Sequence, residues 1–138
     1  MSSAVRTGVF AASDPTFRRR IGACGSSADR DVAFDTVVVE SAAASPQTVT
    51  ARTSTVGNEA TCPLDTFLAV YQPSFNPASS TQSCVTSNDD TNGPCSRASF
   101  TLAPGTSATI VVQPFSGPSR GEQWQLNLSS TGSFRVLP

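Results

Sequence analysis

The segment CVTSNDDTNGPC, residues 84–95, carries the side chains best suited to chemistry. Asn88, Asp89 and Asp90 lie between two cysteines, with almost no apolar residue among them. Calcium takes about six to eight oxygen ligands, and adjacent carboxylates repel each other unless a cation lies between them. Strand pairing would bring Asp65 to the same loop, which gives three carboxylates and an amide. A calcium site at these four residues is therefore one interpretation of the pattern.

Two other interpretations of this segment remain open. Asn88 and Asp89 can make Asx-turn hydrogen bonds at a polar hairpin tip, with Asp90 solvated. A catalytic acid/base pair of Asp89 and Asp90 is less favoured, because neighbours on a strand point to opposite faces and rarely flank one scissile bond. Asp65 with Asp89 would be better placed, but the sequence indicates no substrate cleft. The spacing also differs from an EF-hand, and no Glu follows to complete the coordination.

The cysteines of the chain predict two disulfides. No CxxC pair, which would indicate a zinc ribbon or redox motif, occurs among the four, which are Cys24, Cys62, Cys84 and Cys95. Cys84–Cys95 is the pairing that the spacing favours, because it closes a short hairpin-like segment and would stabilise by about 3 kcal/mol in the chain-entropy model. Cys24–Cys62 then follows by elimination. The two other pairings of the four cysteines and four buried free thiols are the alternatives. Two disulfides would indicate an exported protein.

The amino-acid composition excludes most common kinds of catalytic site. The chain contains no His, and all nine of its cationic side chains are Arg. Ser-His-Asp and Cys-His catalysis, Ser-Lys dyads, Schiff bases and His-ligated zinc are therefore excluded, and Arg is a poor general base. The net charge of −1 gives no general attraction to nucleic acid or anionic membrane. No apolar run approaches the roughly 18 to 20 residues that span a bilayer. We therefore expect no enzyme, no nucleic-acid partner and no membrane insertion.

Short alternating segments predict an all-β protein. They are rich in β-branched and aromatic residues and are separated by Pro- and Gly-containing turns. The predicted strands cover residues 5–11, 33–40, 47–53, 65–71, 82–87, 97–103, 108–114, 122–128 and, at an edge, 134–137. About eight antiparallel strands of this kind make a single jelly-roll-like β-sandwich over residues 1–138. The predicted core is Phe34, Val37, Val39, Phe67, Ala69, Tyr71, Phe100, Leu102, Ile110, Val112, Trp124 and Leu126.

Some aromatic residues lie outside this alternation. Phe75 and Phe115 are in Pro-rich loops, so they are candidates for contact with a ligand. Trp124 and Tyr71 are expected to pack in the core rather than to form sugar-stacking platforms, because they lie on the apolar sides of their strands. Residues 34–36 and 64–66 both read apolar-Asp-Thr before a hydrophobic run, which is typical of a turn cap and, less strongly, of an internal repeat.

The order of several motifs resembles the bacterial pre-peptidase C-terminal domain. They are LDTFLAVYQPSFNP at 64–77, SNDD at 87–90, CSRASFTLAPGTSATIVVQPF at 95–115 and GEQWQLNL at 121–128. The resemblance covers residues 13–128 and implies a jelly-roll-like sandwich, secretion as an appendage to other proteins, and no catalytic activity. Some members of that family bind calcium. The four cysteines and the segment LAPGTSATI, in place of a Tyr-rich strand, depart from its pattern.

The resemblance and the composition together predict a secreted or cell-surface module that serves adhesion, targeting or structural support. Its expected partners are neighbouring domains of a larger secreted protein and an extracellular polymer, either polysaccharide or protein. One alternative is a self-assembling filament or repeat subunit with either complementary apolar edges or a free terminal strand, a role that residues 132–138 could serve. The other is a small glycan-active enzyme that uses two carboxylates.

Overall fold

A computed structural model describes residues 2–11, 14–19, 30–62, 66–78, 82–88, 95–114 and 121–138. These residues form strands β1 Ser2–Val9, β2 Thr16–Arg19, β3 Arg30–Ala33, β4 Asp35–Ser41, β5 Gln47–Ser54, β6 Thr66–Tyr71, β7 Cys84–Asn88, β8 Arg97–Leu102, β9 Ser107–Pro114, β10 Gln123–Ser130 and β11 Phe134–Val136. Every strand predicted from the alternation is present. β2 and β3 are additional to the predicted set.

The strands form a β-sandwich of two antiparallel sheets. One sheet has the order β1-β10-β5-β8 and the other has the order β11-β4-β9-β6-β7. The chain crosses from one sheet to the other at most connections after β4, so strands that are neighbours in sequence are seldom neighbours in a sheet. The described residues contain no helix whose length and apolar character would let it span a bilayer.

The main core lies between the two sheets. Alternate side chains of β8 and β10 enter it, which explains the period of two in their sequences. On β10 the inward residues are Trp124, Leu126 and Leu128. All twelve predicted core residues are buried, but only eight of them lie in this inter-sheet core: Val37, Val39, Phe100, Leu102, Ile110, Val112, Trp124 and Leu126.

A second, outer core covers the far side of the five-stranded sheet. Its buried members are Val32, Phe34, Phe67, Ala69, Tyr71 and Val111. The ribbon of β2 and β3 contributes Val32 to it, so this short antiparallel pair is a third layer over part of the sheet. Because β6 is covered on both sides, every residue from Thr66 to Tyr71 is buried. A continuous apolar strand of this kind is what burial on two faces requires.

The C-terminal strand is paired within its own chain. β11 runs antiparallel to β4, with Phe134 opposite Ser41 and Val136 opposite Val39. Phe134 and Val136 also pack against the inter-sheet core. The C-terminal segment, which could have served as a free strand for a filament, is therefore part of the sandwich.

Candidate functional site

The predicted calcium ligands fall mostly outside the described residues. This holds for Asp65, Asp89 and Asp90. Asn88 is described: it ends β7, and its Oδ1 accepts a hydrogen bond from the backbone N of Arg97 at 2.9 Å. That bond joins the last strand of the five-stranded sheet to the first residue of β8 in the other sheet. Among the residues that the structure describes, no three acidic, Cys or His side chains are grouped to hold a metal ion.

Of the two aromatic residues predicted to contact a ligand, the structure describes one. Phe115 lies outside the described residues. Phe75 is half-buried, with its ring 5.3 Å from that of Phe34 in an edge-on arrangement and 4.7 Å from that of Tyr71. Packing on the outer core therefore accounts for an aromatic residue in this Pro-rich loop. Burial also raises the pKa of Tyr71 from its ordinary value of 10.0 to about 12.

The predicted disulfide pairing is wrong. Cys62 is bonded to Cys95, with their Cα atoms 5.3 Å apart, so neither Cys84–Cys95 nor Cys24–Cys62 is formed. The physical reason is that β7 and β8 do not form a hairpin: β7 pairs with β6, and the chain then crosses to the other sheet before Cys95. Cys84 is also disulfide-bonded, and Cys24 lies outside the described residues.

A buried group of hydroxyls lies next to Cys95. Thr66 Oγ1 is 2.8 Å from Thr53 Oγ1 and 3.0 Å from Ser96 Oγ, and Ser96 Oγ also donates to the Thr66 carbonyl at 2.6 Å. Thr53 lies on the four-stranded sheet and Thr66 on the five-stranded sheet, so the group joins the two layers. Buried hydroxyls are tolerated when they are hydrogen-bonded, as these are. The cluster fixes the position of the adjoining disulfide.

A groove of about 350 Å³ opens between β1, β4 and the C-terminal segment. Its polar side chains include Arg6 and Asp35, and Trp124 and Val37 form part of its floor. The indole Nε1 of Trp124 donates to Asp35 Oδ2 at 2.9 Å, which joins the two sheets. Gly8 is the register partner of Trp124, and a Cβ on it would overlap the indole ring. The groove is therefore shaped by a glycine that lets the ring lie against β1.

Asp35 is held in an unfavourable environment for a charge. Burial raises its pKa above the ordinary value of 3.8, the hydrogen bond from Trp124 lowers it, and the charge of Asp14 raises it. Asp35 begins β4, and its carboxylate bonds the indole, so the turn-capping role predicted for residues 34–36 is not the one it has. A glycosidase would need two carboxylates flanking a cleft. Of the described residues that line this groove, only Asp35 is acidic.

We expect Asp35→Asn to remove a pH-dependent loss of stability. Because the folded-state pKa is raised, the folded protein binds this proton more tightly than the unfolded chain does. The contribution of Asp35 to stability therefore falls as pH rises from the unfolded pKa to the folded one. Asn keeps an oxygen for Trp124 but does not titrate. The free energy of unfolding of the variant minus that of the parent should increase with pH above about 3.8 and then level off.

The measurement is chemical denaturation from about pH 3 to pH 8. Thr36→Asn is the matched control, because it introduces the same amide at the next, exposed position without removing a carboxyl. A difference between Asp35→Asn and parent that does not change with pH, or that decreases, would contradict the raised pKa.

The outward side of β10, β5 and β8 forms a second candidate surface, here called the polar face. Every outward side chain on these three strands is polar, because these positions alternate with the core residues. The most exposed of them are Thr48, Arg97, Ser99, Thr101, Gln123 and Ser129. The outer side of the five-stranded sheet, in contrast, is partly covered by β2, β3 and Phe75.

The middle of the polar face is held by side-chain hydrogen bonds. Gln125 Nε2 donates to Asn127 Oδ1 at 2.7 Å, and Asn127 Nδ2 donates to Ser54 Oγ at 2.9 Å. Gln125 Oε1 in turn accepts from the backbone N of Gly57, in the loop after β5, at 2.9 Å. Both amides are nearly buried as a result. These hydrogen bonds hold the side chains of the polar face in place. The exposed hydroxyls of the face lie on neighbouring strands.

The sequence indicates the polar face but not the groove at Asp35. The alternation of polar residues on β5, β8 and β10 is visible in the sequence and predicts a polar outer face. The bond between Asp35 and Trp124 is not visible, because it joins residues that are 89 positions apart. The repeated apolar-Asp-Thr pattern was the only sequence signal at Asp35.

No protein-family model, curated protein or solved structure matches the chain. The similarity to the pre-peptidase C-terminal domain therefore remains a prediction from the motifs, and the polar face and the Asp35 groove have to be interpreted from their own chemistry.

Proposed function

We propose that this chain is a non-catalytic, exported module that binds an extracellular polysaccharide through its polar face. The observation that carries the proposal is that every outward side chain on three adjacent strands is polar, with a hydrogen-bonded, buried middle and exposed hydroxyls around it. Binding of this kind serves adhesion or targeting of a larger extracellular protein.

The chemistry of the polar face matches a hydroxylated polymer. Each Ser or Thr hydroxyl can donate one hydrogen bond and accept others, as sugar hydroxyls do. Adjacent strands lie about 4.8 Å apart, so hydroxyls such as Thr48 and Thr101, which are paired in register, form closely spaced rows. Protein partners are usually recognised through apolar and aromatic anchors. The outward side chains of β5, β8 and β10 include no such anchor, which favours a polysaccharide over a protein on these three strands. The exposed Val5 and Val9 lie on neighbouring β1, outside the polar face.

Export and the lack of catalysis are supported by composition and cross-linking. The Cys62–Cys95 disulfide and the bonded state of Cys84 suit an oxidising compartment. The absence of His and Lys from the sequence leaves few groups that can shuttle protons at neutral pH.

The binding test is co-sedimentation of the purified chain with insoluble polysaccharides, and affinity electrophoresis with soluble ones. The double variant Ser99→Glu and Thr101→Glu should lose binding, because the added charges cover the centre of one outer strand of the polar face. Thr36→Glu carries the same kind of charge on an exposed threonine of the other sheet and should bind like the parent. Failure of the parent to bind any polysaccharide, or equal binding by the double variant, would contradict the proposal. Release of reducing ends by the purified parent would contradict its non-catalytic part.

We also propose that calcium binds at Asp65, Asn88, Asp89 and Asp90, on the grounds of the oxygen-rich sequence. Chelation with EGTA should then lower the melting temperature, because a ligand that binds only the folded state stabilises it. The combined change of Asp89 and Asp90 to Ala should remove that effect. A melting curve that EGTA leaves unchanged would show that the segment is a polar turn.

A further inference from the structure

A small pocket lies at one end of the polar face, beside the Cys62–Cys95 disulfide. Its volume is about 230 Å³. The disulfide and Ser96 form one wall, and the side chains of Arg52, Glu59 and Arg97 surround the rest. The wall is rigid, because the bonded cysteines adjoin the buried hydroxyls of Thr53, Thr66 and Ser96.

Two arginines lie side by side in the lining of this pocket. Arg52 on β5 and Arg97 on β8 are register partners in the four-stranded sheet, and both alternate with inward core residues. Like charges directly opposite each other on one face of a sheet are destabilising. Glu59 offsets only one of them: its Oε1 accepts from Arg52 Nη2 at 3.0 Å, and its backbone carbonyl accepts from Nη1 at 3.2 Å.

Arg97 has no ion pair within the described part of the chain. The described side chains that line the pocket therefore carry one net positive charge, with Arg52 already oriented by Glu59 and Arg97 exposed. A planar guanidinium presents several N–H donors in a fixed fork that fits a carboxylate or a sulfate. Such a group would bring a negative charge between the two arginines and relieve their repulsion.

We propose that this pocket binds the anionic group, carboxylate or sulfate, of an acidic polysaccharide whose neighbouring sugars lie along the polar face. The inference rests on the function proposed above and specifies the charge of the polymer. The next outward pair along the same two strands is Thr50 and Ser99, whose hydroxyl oxygens are 2.9 Å apart. Two residues along a strand span about 6.6 to 6.8 Å, so these hydroxyls are within reach of a sugar attached to the bound acid.

The test compares three soluble polymers by affinity electrophoresis and calorimetry: a polyuronate, a dextran sulfate and neutral dextran. The parent should bind at least one acidic polymer at least about tenfold more tightly than neutral dextran, because charge-assisted hydrogen bonds are about twice as strong as neutral ones. The affinity should fall as salt is added. Preference for the polyuronate identifies a carboxylate as the bound group, and preference for dextran sulfate identifies a sulfate.

Arg97→Gln should reduce the affinity for the acidic polymer about tenfold. The melting temperature should stay the same or rise slightly, because the side chain is exposed and its repulsion with Arg52 is removed. Arg97→Lys keeps the positive charge but lacks the planar fork of N–H donors, so its affinity should lie between that of the parent and that of Arg97→Gln. Arg135→Gln is the matched control, because Arg135 is an exposed arginine paired with Glu40 on the other sheet, and it should bind like the parent.

The outcomes separate this inference from the proposed function. Equal binding of acidic and neutral polymers, with loss only in the Ser99 and Thr101 double variant, would overturn the acidic pocket and retain the polar face. Equal losses in Arg97→Gln and Arg135→Gln would also overturn the pocket, since they indicate a general charge effect. Failure to bind all three polymers would overturn this inference, and failure on the insoluble polysaccharides as well would overturn the proposed function.

Discussion

Replacing Cys62 and Cys95 together with serine is expected to lower the free energy of unfolding by about 4 kcal/mol in the chain-entropy model. The bond joins residues 33 positions apart, so its loss releases a long loop in the unfolded chain. Loss of the bond also removes one wall of the Arg52–Arg97 pocket. Urea denaturation of variant and parent, both oxidised, measures the change.

The two single variants provide the control for this prediction. Cys62→Ser and Cys95→Ser each break the same bond, so each should cost about as much as the double change. Peptide mapping without reduction should recover a cross-linked fragment that contains positions 62 and 95. A fragment that links positions 84 and 95 would instead support the pairing predicted from the sequence, and a change in stability below about 1 kcal/mol would contradict the entropic argument.

The strands could be predicted because their signal is local. On β10, Trp124, Leu126 and Leu128 alternate with polar residues, and this period of two directly reports which side chains enter the core. The same reasoning assigned Trp124 to the core rather than to a sugar-stacking surface, and its burial confirms that assignment.

The disulfide pairing could not be predicted because it depends on which sheet each strand joins. Cys84 and Cys95 are close in sequence, but β7 pairs with β6 while β8 pairs with β5. A connection between sheets and a hairpin have the same local composition of Asn, Asp, Gly and Pro. Four cysteines allow three pairings, and sequence spacing does not choose among them.

The sequence predicts which residues of the candidate site face outward, but the geometry of the site depends on the register of the paired strands. Arg52 and Arg97 each occupy an outward position in their own segments, which alternation predicts. That they lie opposite each other depends on the antiparallel register of β5 and β8, since a shift of one residue would turn one of them into the core. The groove at Asp35 likewise depends on the contact between β10 and β4 across the sandwich.

The second large effect is expected on β6, where replacing either of two adjacent residues should lower the free energy of unfolding to a similar extent. Phe67→Ala and Leu68→Ala should each lower the free energy of unfolding by about 3 kcal/mol or more, because both remove fully packed side chains. Phe67 belongs to the outer core and Leu68 to the inter-sheet core, and they are 3% and 0% exposed. The alternation that governs most strands of this protein would predict a large cost for only one of them.

Strand β8 supplies the matched contrast, because it is covered on one side only. Phe100→Ala should cost about as much as the β6 changes, whereas Thr101→Ala, at an exposed position, should remain within about 0.5 kcal/mol of the parent. Urea denaturation of the four variants therefore distinguishes a strand buried on both faces from one buried on a single face. A cost for Phe67→Ala as small as that for Thr101→Ala would mean that the ribbon of β2 and β3 does not pack on the five-stranded sheet, and the three-layer arrangement would be wrong.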